Sequence, residues 1–251
     1  HRDAAHEILT AIGELTVALG RLVVGRAKFR RSDLWLQMGA CGASALGIVS
    51  LVVGLVGVII AFISAVELKS FGASLYVANL VGIAIVRELG AVMSAIVVAG
   101  RTGAAFAAEL GTMRVTQEID ALTTLGLSPV EFLVVPRVLA VTLMLPLLCM
   151  YADLVGVIGG AAVGIGIMHV APRLYYDQTV HAVSLSDLIG GIVKAATYGF
   201  LIGSAGCFIG LRAGRSAAAV GRAATSAVVA GLVLVIAACG LYAVAFYRLG
   251  L

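Results

Sequence analysis

Four ionisable residues stand inside otherwise apolar runs of this sequence: Arg87 beside Glu88, then Asp153 and Lys194. If those runs are membrane spans, each such charge is costly and must face a partner, a wet cavity or a substrate. Neighbours on a helix diverge by about 100°, so Arg87 and Glu88 cannot share one environment. Together they could hold a zwitterionic or anionic headgroup while Leu68, Phe71 and Ile83 accept acyl chains. Alternatively, both pair with other helices and only fix the fold. Lys194 has no acidic neighbour in sequence. Its charge must be met by an acid from another segment, with Glu88 the candidate, or by a lipid phosphate, unless it snorkels to the interface. Asp153 reads as a hydrogen-bonding residue between helices, or as the mark of a segment end near the outer surface. His169 and His181 lie near Asp177 and Asp187 without convincing ligand spacing, and Cys41, Cys149, Cys207 and Cys239 sit singly in apolar runs, so no metal site is expected.

The elements that must position these residues follow from composition. Of 251 residues, 61% are apolar and 12% charged, against roughly 25% charged in a soluble domain, and the mean hydropathy is +1.11. So few charges cannot coat a soluble globule, and the same scarcity excludes a disordered chain or a disulfide-stapled scaffold. The expected fold is an all-α polytopic membrane protein with about five transmembrane segments. They cover residues 34–66, 75–108, 138–168, 188–211 and 223–247. The first holds no charge and is half again longer than the roughly 20 residues an upright span needs. Gly39, Gly42, Gly47, Gly54 and Gly57 punctuate it, so a straight, bent or re-entrant course stays open.

Basic residues orient the chain, because cytoplasmic loops carry the excess of Lys and Arg. Twelve of the 17 fall on one side, before the first segment, around the second loop and between the fourth and fifth segments. The N-terminus is therefore expected in the cytoplasm and Leu251 outside. The net charge of +4 is then mostly topology, and nucleic acid is not an expected partner. No removable signal-peptide pattern follows His1. Residues 1–33 form a region of their own: Ile8, Ile12, Leu15, Leu19 and Leu22 recur at helical spacing ahead of Arg26, Lys28, Arg30 and Arg31. This predicts an amphipathic helix in the cytoplasmic interface, or one packed on a partner protein. The membrane domain would occupy residues 34–251.

Residues 109–136 are the one internal stretch with soluble character. A short helix is predicted over 117–125, ended by Gly126 in a left-handed cap, with Ser128, Pro129 and Glu131 restarting a helix as N-cap, first residue and capping-box partner. Such a folded loop could transmit force, or merely cover the bundle.

The ordered motifs Arg87-Glu88-Leu89-Gly90-Ala91-Val92, Ala99-Gly100-Arg101-Thr102-Gly103-Ala104, Ala108-Glu109-Leu110-Gly111-Thr112-Met113 and Glu118-Ile119-Asp120-Ala121-Leu122, followed by Pro129 and Val135-Pro136-Arg137, resemble the permease subunit of Mce-associated ABC lipid transporters, the MlaE/YrbE family. The resemblance implies two permease copies in the bacterial inner membrane, cytoplasmic ABC ATPases that use ATP and Mg, a periplasmic Mce-domain protein, a STAS-domain accessory protein and phospholipid as substrate. It implies that Arg87 and Glu88 border the lipid cavity; Lys194, Leu68 and Phe71 are lipid-binding candidates from the apolar runs themselves. Glu109, Arg114, Glu118, Asp120 and Gly126 would then belong to the ATPase-coupling element. The chain itself would bind no cofactor and catalyse nothing, and it holds no GxxxxGK[ST] phosphate loop. An ion-coupled secondary transporter would show repeated broken helices in two halves, and none is evident. A non-transporting membrane anchor is the remaining alternative.

Overall fold

The computed structural model describes residues 13, 14, 16–18, 20, 31–70 and 74–249. Every regular element among them is helical. Five helices are long and apolar enough to cross a membrane: α1 (Ser32–Leu68), α2 (Val77–Val115), α4 (Val130–Gly166), α6 (Leu185–Leu211) and α7 (Ala217–Arg248). Between them lie the short helices α3 (Glu118–Thr124) and α5 (Pro172–Ala182). Helices are the expected answer for so apolar a chain, since lipid offers no partner to an unpaired backbone N–H or C=O.

The first segment is one helix, interrupted by a 3-10 turn at Ala43–Ala45. Gly42 faces Met144, Gly54 faces Val155 and Gly57 meets the backbone of Gly156. The two helices thus advance together along α1 and α4, a parallel register that a re-entrant hairpin would reverse. The 109–136 stretch is also more helical than its polarity implied. Helix α2 continues through Glu109 to Val115, and α4 already begins at Val130. Arg101, which the charge pattern placed at the edge of the loop, lies within α2 on the π-helical turn Ala99–Gly103.

Helix α4 is the hub, with 61% of its most apolar stretch buried against 17% for α7. Its residues Val138, Val141, Leu145, Cys149 and Ala152 join Val49 and Val53 of α1, Ala95 and Val98 of α2, and Tyr198 and Ile202 of α6 in the main core. A second cluster joins Ala61 and Ala65 of α1 to Val77, Val81 and Ile85 of α2 and Val163 of α4. The amphipathic N-terminal pattern of Ile8, Ile12, Leu15, Leu19 and Leu22 lies outside the described residues. Of the neighbouring positions that are described, Ala18 is buried against the main core.

Glycine stripes set the helix spacing, and they pack within one chain. On α6, Gly206 and Gly210 lie against Gly103 and Ala107 of α2; a methyl at Gly206 would come 2.7 Å from the Gly103 carbonyl oxygen. On α4, Gly160 and Gly164 receive the ring of Tyr175 from α5. Close approach of this kind substitutes for a hydrophobic driving force between helices in lipid. Gly206→Val is therefore expected to abolish a monodisperse folded peak in detergent size-exclusion chromatography. Gly221→Val, with nothing within 4 Å of the added carbon, should leave the peak unchanged; equal behaviour of the two would refute the packing role.

Candidate functional site

The Arg87–Glu88 pair stands on a π-helical turn of α2, Ile85–Leu89. Such wide turns recur at functional sites because they re-aim side chains that a regular helix would direct elsewhere. Here they are sent to different partners. Arg87 Nη1 lies 3.3 Å from Asp187 Oδ1. Glu88 Oε1 lies 2.5 Å from Lys194 Nζ, and Cys239 Sγ of α7 donates to Glu88 Oε2 at 3.6 Å.

Lys194 is fully buried on α6. Besides Glu88, its ammonium donates to the Arg87 carbonyl at 2.9 Å and lies 4.9 Å from the Phe246 ring centroid. Its charge is thus met by protein and not by the interface, so the snorkelling alternative fails. Nor does it present a charge to a headgroup in this conformation, because no surface of it is open. Arg87 and Glu88 do keep exposure, with side chains 37% and 33% accessible.

Asp187 holds two positions at once. Its Oδ2 accepts from the Ser184 backbone N–H at 3.1 Å while Ser184 Oγ accepts from the Asp187 N–H at 3.1 Å, a capping box that starts α6. Its Oδ1 is left to Arg87. Arg87, Asp187, Gly190, Val193 and Phe246 line a cavity of about 180 Å³ between α2, α6 and α7. Leu68 is not there: it packs on the second cluster with Val77, Val81 and Ile85, because α1 runs along α4 and away from α6. Phe71 lies outside the described residues.

Asp153 is buried beside Gly90, the glycine of the Arg-Glu-Leu-Gly motif, where any Cβ would collide with Asp153 Oδ1. Cys149 Sγ donates to its Oδ2 at 3.8 Å. Cys149 is on the same helix and Asp153 Oδ1 has no hydrogen-bond partner among the described residues, so Asp153 meets α2 by close packing and not through the expected hydrogen bond between helices. Sequence reasoning missed three members of the cluster. Asp187 was legible in the Ser184-Leu185-Ser186-Asp187 capping pattern, whereas Phe246 and Cys239 carry no local signal.

The second group of singled-out residues gathers where α2 and α6 end and α4 and α7 begin. Helix α3 starts after Gln117 at φ 62° and ends at Gly126, φ 73°. Leu127 N donates to the Leu122 carbonyl at 3.1 Å and Gly126 N to the Thr123 carbonyl at 3.0 Å, the pairing of a left-handed glycine cap. Ser128 Oγ accepts from Glu131 N at 3.5 Å. No residue of α3 is buried, and Leu125 is 74% exposed, so the loop presents a rigid, open helix. Glu118 accepts from Thr116 Oγ1 at 2.8 Å, and Asp120 Oδ2 meets Arg215 Nη2 at 3.2 Å.

Glu109 and Arg114 turn to the bundle instead. Glu109 pairs at 3.3 Å with the buried Arg137, whose guanidinium also donates to the Leu133 carbonyl at 2.9 Å and lies 5.9 Å from the Phe106 ring centroid. Arg114 donates to the Leu211 carbonyl at the end of α6. These two tie α2 to α4 and α6, so any part they take in coupling acts through the placement of helix ends. Outside the spans, burial pushes the Tyr175 phenol up to about 12, which keeps it neutral where it wedges against α4. Among the described residues, no group of His, Cys, Asp and Glu could hold a metal ion.

A family model described as permease MlaE matches residues 34–245. A probable ABC transporter permease protein of Rickettsia felis is 38% identical over 200 residues, covering 80% of this chain and 77% of that protein. A probable ABC transporter permease protein of Synechocystis is 34% identical over 210 residues, with 84% and 80% covered. The Arabidopsis thaliana chloroplastic protein named TRIGALACTOSYLDIACYLGLYCEROL 1 is 32% identical over 213 residues, 85% of this chain and 60% of that protein.

Proposed function

The chain belongs to the MlaE permease family, and from that premise we propose that it is the membrane subunit of an ABC transporter that moves phospholipid, powered by a separate cytoplasmic ATPase. The observation that carries the proposal is α3, a capped and exposed helix mounted on an apolar bundle that has no phosphate loop of its own. Its attachments favour force transmission over mere cover. Through Asp120 and Arg215 it meets the link between α6 and α7, and through Thr116 it follows directly from α2. A push on α3 thus reaches three spanning helices.

At the other half of the bundle, the Arg87–Asp187 and Glu88–Lys194 pairs tie α2 to α6. Any relative motion of these helices must remake the charges between them. Arg87, half-exposed beside its cavity, is the residue on which a lipid phosphate would compete with Asp187, since a guanidinium binds phosphate as well as carboxylate. Glu88 and Lys194 set the resting position of that helix turn. The name of the Arabidopsis relative is that of a glycerolipid, which favours a glycerolipid here too. In this reading two copies pair in a bacterial inner membrane, ATP and Mg are consumed by the partner, and lipid passes to or from a periplasmic Mce-domain protein. A STAS-domain protein is a further candidate subunit. In this reading the basic end bearing α3 faces the cytoplasm and the far end of α7 faces out, which the Lys and Arg distribution favours.

Copurification from native membranes tests this assembly. An ABC ATPase and an outer Mce-domain protein are expected to come down with the full chain, and the reconstituted complex should move fluorescent phospholipid only with ATP. Transport by the chain alone on an ion gradient would replace this reading with a secondary transporter.

A further inference from the structure

We propose that a groove between α6 and α7, distinct from the Arg87 cavity, binds a membrane phospholipid, with the phosphate at its loop end and an acyl chain along its length. The groove encloses about 970 Å³. Phe200, Ser204 and Phe208 line it from α6, at steps of four, and Val229 and Val233 face them from α7. Both stripes run along a single helix face, so the groove is continuous and follows the helix axes.

Its polarity is graded. The polar wall residues Arg212, Thr225 and Ser226 gather with Thr16 at the end where α6 gives way to α7, and the wall toward Phe200 and Val233 is apolar except for Ser204. The adjoining link adds Arg215, which pairs with Asp120, and Arg222 follows in the first turns of α7. A cationic, hydroxyl-bearing mouth opening onto an apolar channel is the complement of an amphiphile with an anionic head. Length agrees as well. From Phe200 to Arg212 the helix rises about 18 Å at 1.5 Å per residue, close to the roughly 15 Å depth of one leaflet in a 30 Å hydrocarbon core. A chain whose phosphate sits at the basic loop would therefore fill the groove and end near the bilayer centre. A second copy of the protein fits less well. Related by a two-fold axis along the membrane normal, it would set its own Arg212, Arg215 and Arg222 against these, like charge on like charge.

The proposal deepens the lipid reading and rests on it for the choice of ligand. It places a substrate-class lipid in the leaflet on the α3 side, next to the helices that α3 would move.

The test uses the full chain in nanodiscs of phosphatidylethanolamine and phosphatidylglycerol, with a trace of phosphatidylglycerol carrying a diazirine on one acyl chain. No ATPase or ATP is added, so a failure of transport leaves the measurement standing. After irradiation, adducts mapped by mass spectrometry are expected on residues 200–212 and 225–234 at about tenfold the level on Leu55, Ile59 and Ile63 of α1, which are exposed and lie outside this groove. Filling the groove with Ala205→Phe and Ala230→Phe should remove this excess and leave the α1 adducts unchanged. The wild-type map decides the matter even where that variant fails to fold. Adducts spread evenly over α1, α4 and α7 would overturn the proposal. So would efficient disulfide formation between Val229→Cys of two copies together with protection of the groove, which would assign it to a dimer interface.

Discussion

Glu88→Ala should cost the folded state about 3 kcal/mol, because it strands the buried ammonium of Lys194. The Arg87 carbonyl and the Phe246 ring remain beside that ammonium, but neither carries a compensating negative charge. Glu88 is one-third exposed and Lys194 is not exposed at all, so removal of the acid is the more damaging of the two single changes. For a chain of this size the loss corresponds to a fall of roughly 6–12 °C in the thermal midpoint, readable by fluorescence in mild detergent. Restoring neutrality should recover most of it: Glu88→Leu combined with Lys194→Met removes both charges and leaves apolar groups of similar volume, a change that is commonly neutral or stabilising in a dry site. If the double variant is no more stable than Glu88→Ala, the pair is not the source of the energy. The same variant separates structure from transport. A bundle that is stable but moves no lipid would mean that the charges serve the transport cycle as well as the resting fold.

Reversing the charges of α3 should do the opposite, leaving the bundle intact and disconnecting it from its motor. Glu118 and Asp120 are exposed, and the Asp120–Arg215 pair has side chains 57% and 66% accessible. Ion pairs of that kind contribute about 0–1 kcal/mol, so Glu118→Lys with Asp120→Lys is expected to move the thermal midpoint very little. ATP-driven lipid transfer in proteoliposomes containing the ATPase should fall about tenfold or more, equivalent to roughly 1.4 kcal/mol of lost coupling. ATP hydrolysis itself should persist, uncoupled from transfer. Normal transfer by the doubly reversed protein would show that α3 merely covers the bundle. The contrast between the two experiments is physical: one charge pair is desolvated and long-range, the other is solvated and presented outward.

Much of the candidate site was visible before any fold was known, because charges are scarce in this chain and each one in an apolar run had to be explained. Lys194 called for an acid from another segment or a lipid phosphate unless it snorkelled, and Glu88 was the candidate acid. Helix α3 was legible in detail, since caps are local chemistry: Gly126 ends the helix and Ser128 caps the restart at Glu131. Leu68 illustrates the limit. It is near Arg87 in sequence, yet α1 follows α4 and carries Leu68 to a different cluster.

The sequence by itself determined what depends on composition and short-range pattern. That covers the helical class, five apolar spans, one basic end and the capped loop, because each is decided within a few turns of chain by burial, backbone hydrogen bonding and charge. Only the tertiary structure decided partners. It chose Asp187 for Arg87, Lys194 for Glu88, Gly90 for Asp153 and α2 for Gly206 and Gly210 of α6. It also settled that α1 runs parallel to α4 without turning back and that α6 and α7 leave a groove between them. These depend on which helix faces meet across a hundred residues of chain. In a chain that is apolar on nearly every face, hydrophobic periodicity is too weak to say which faces those are.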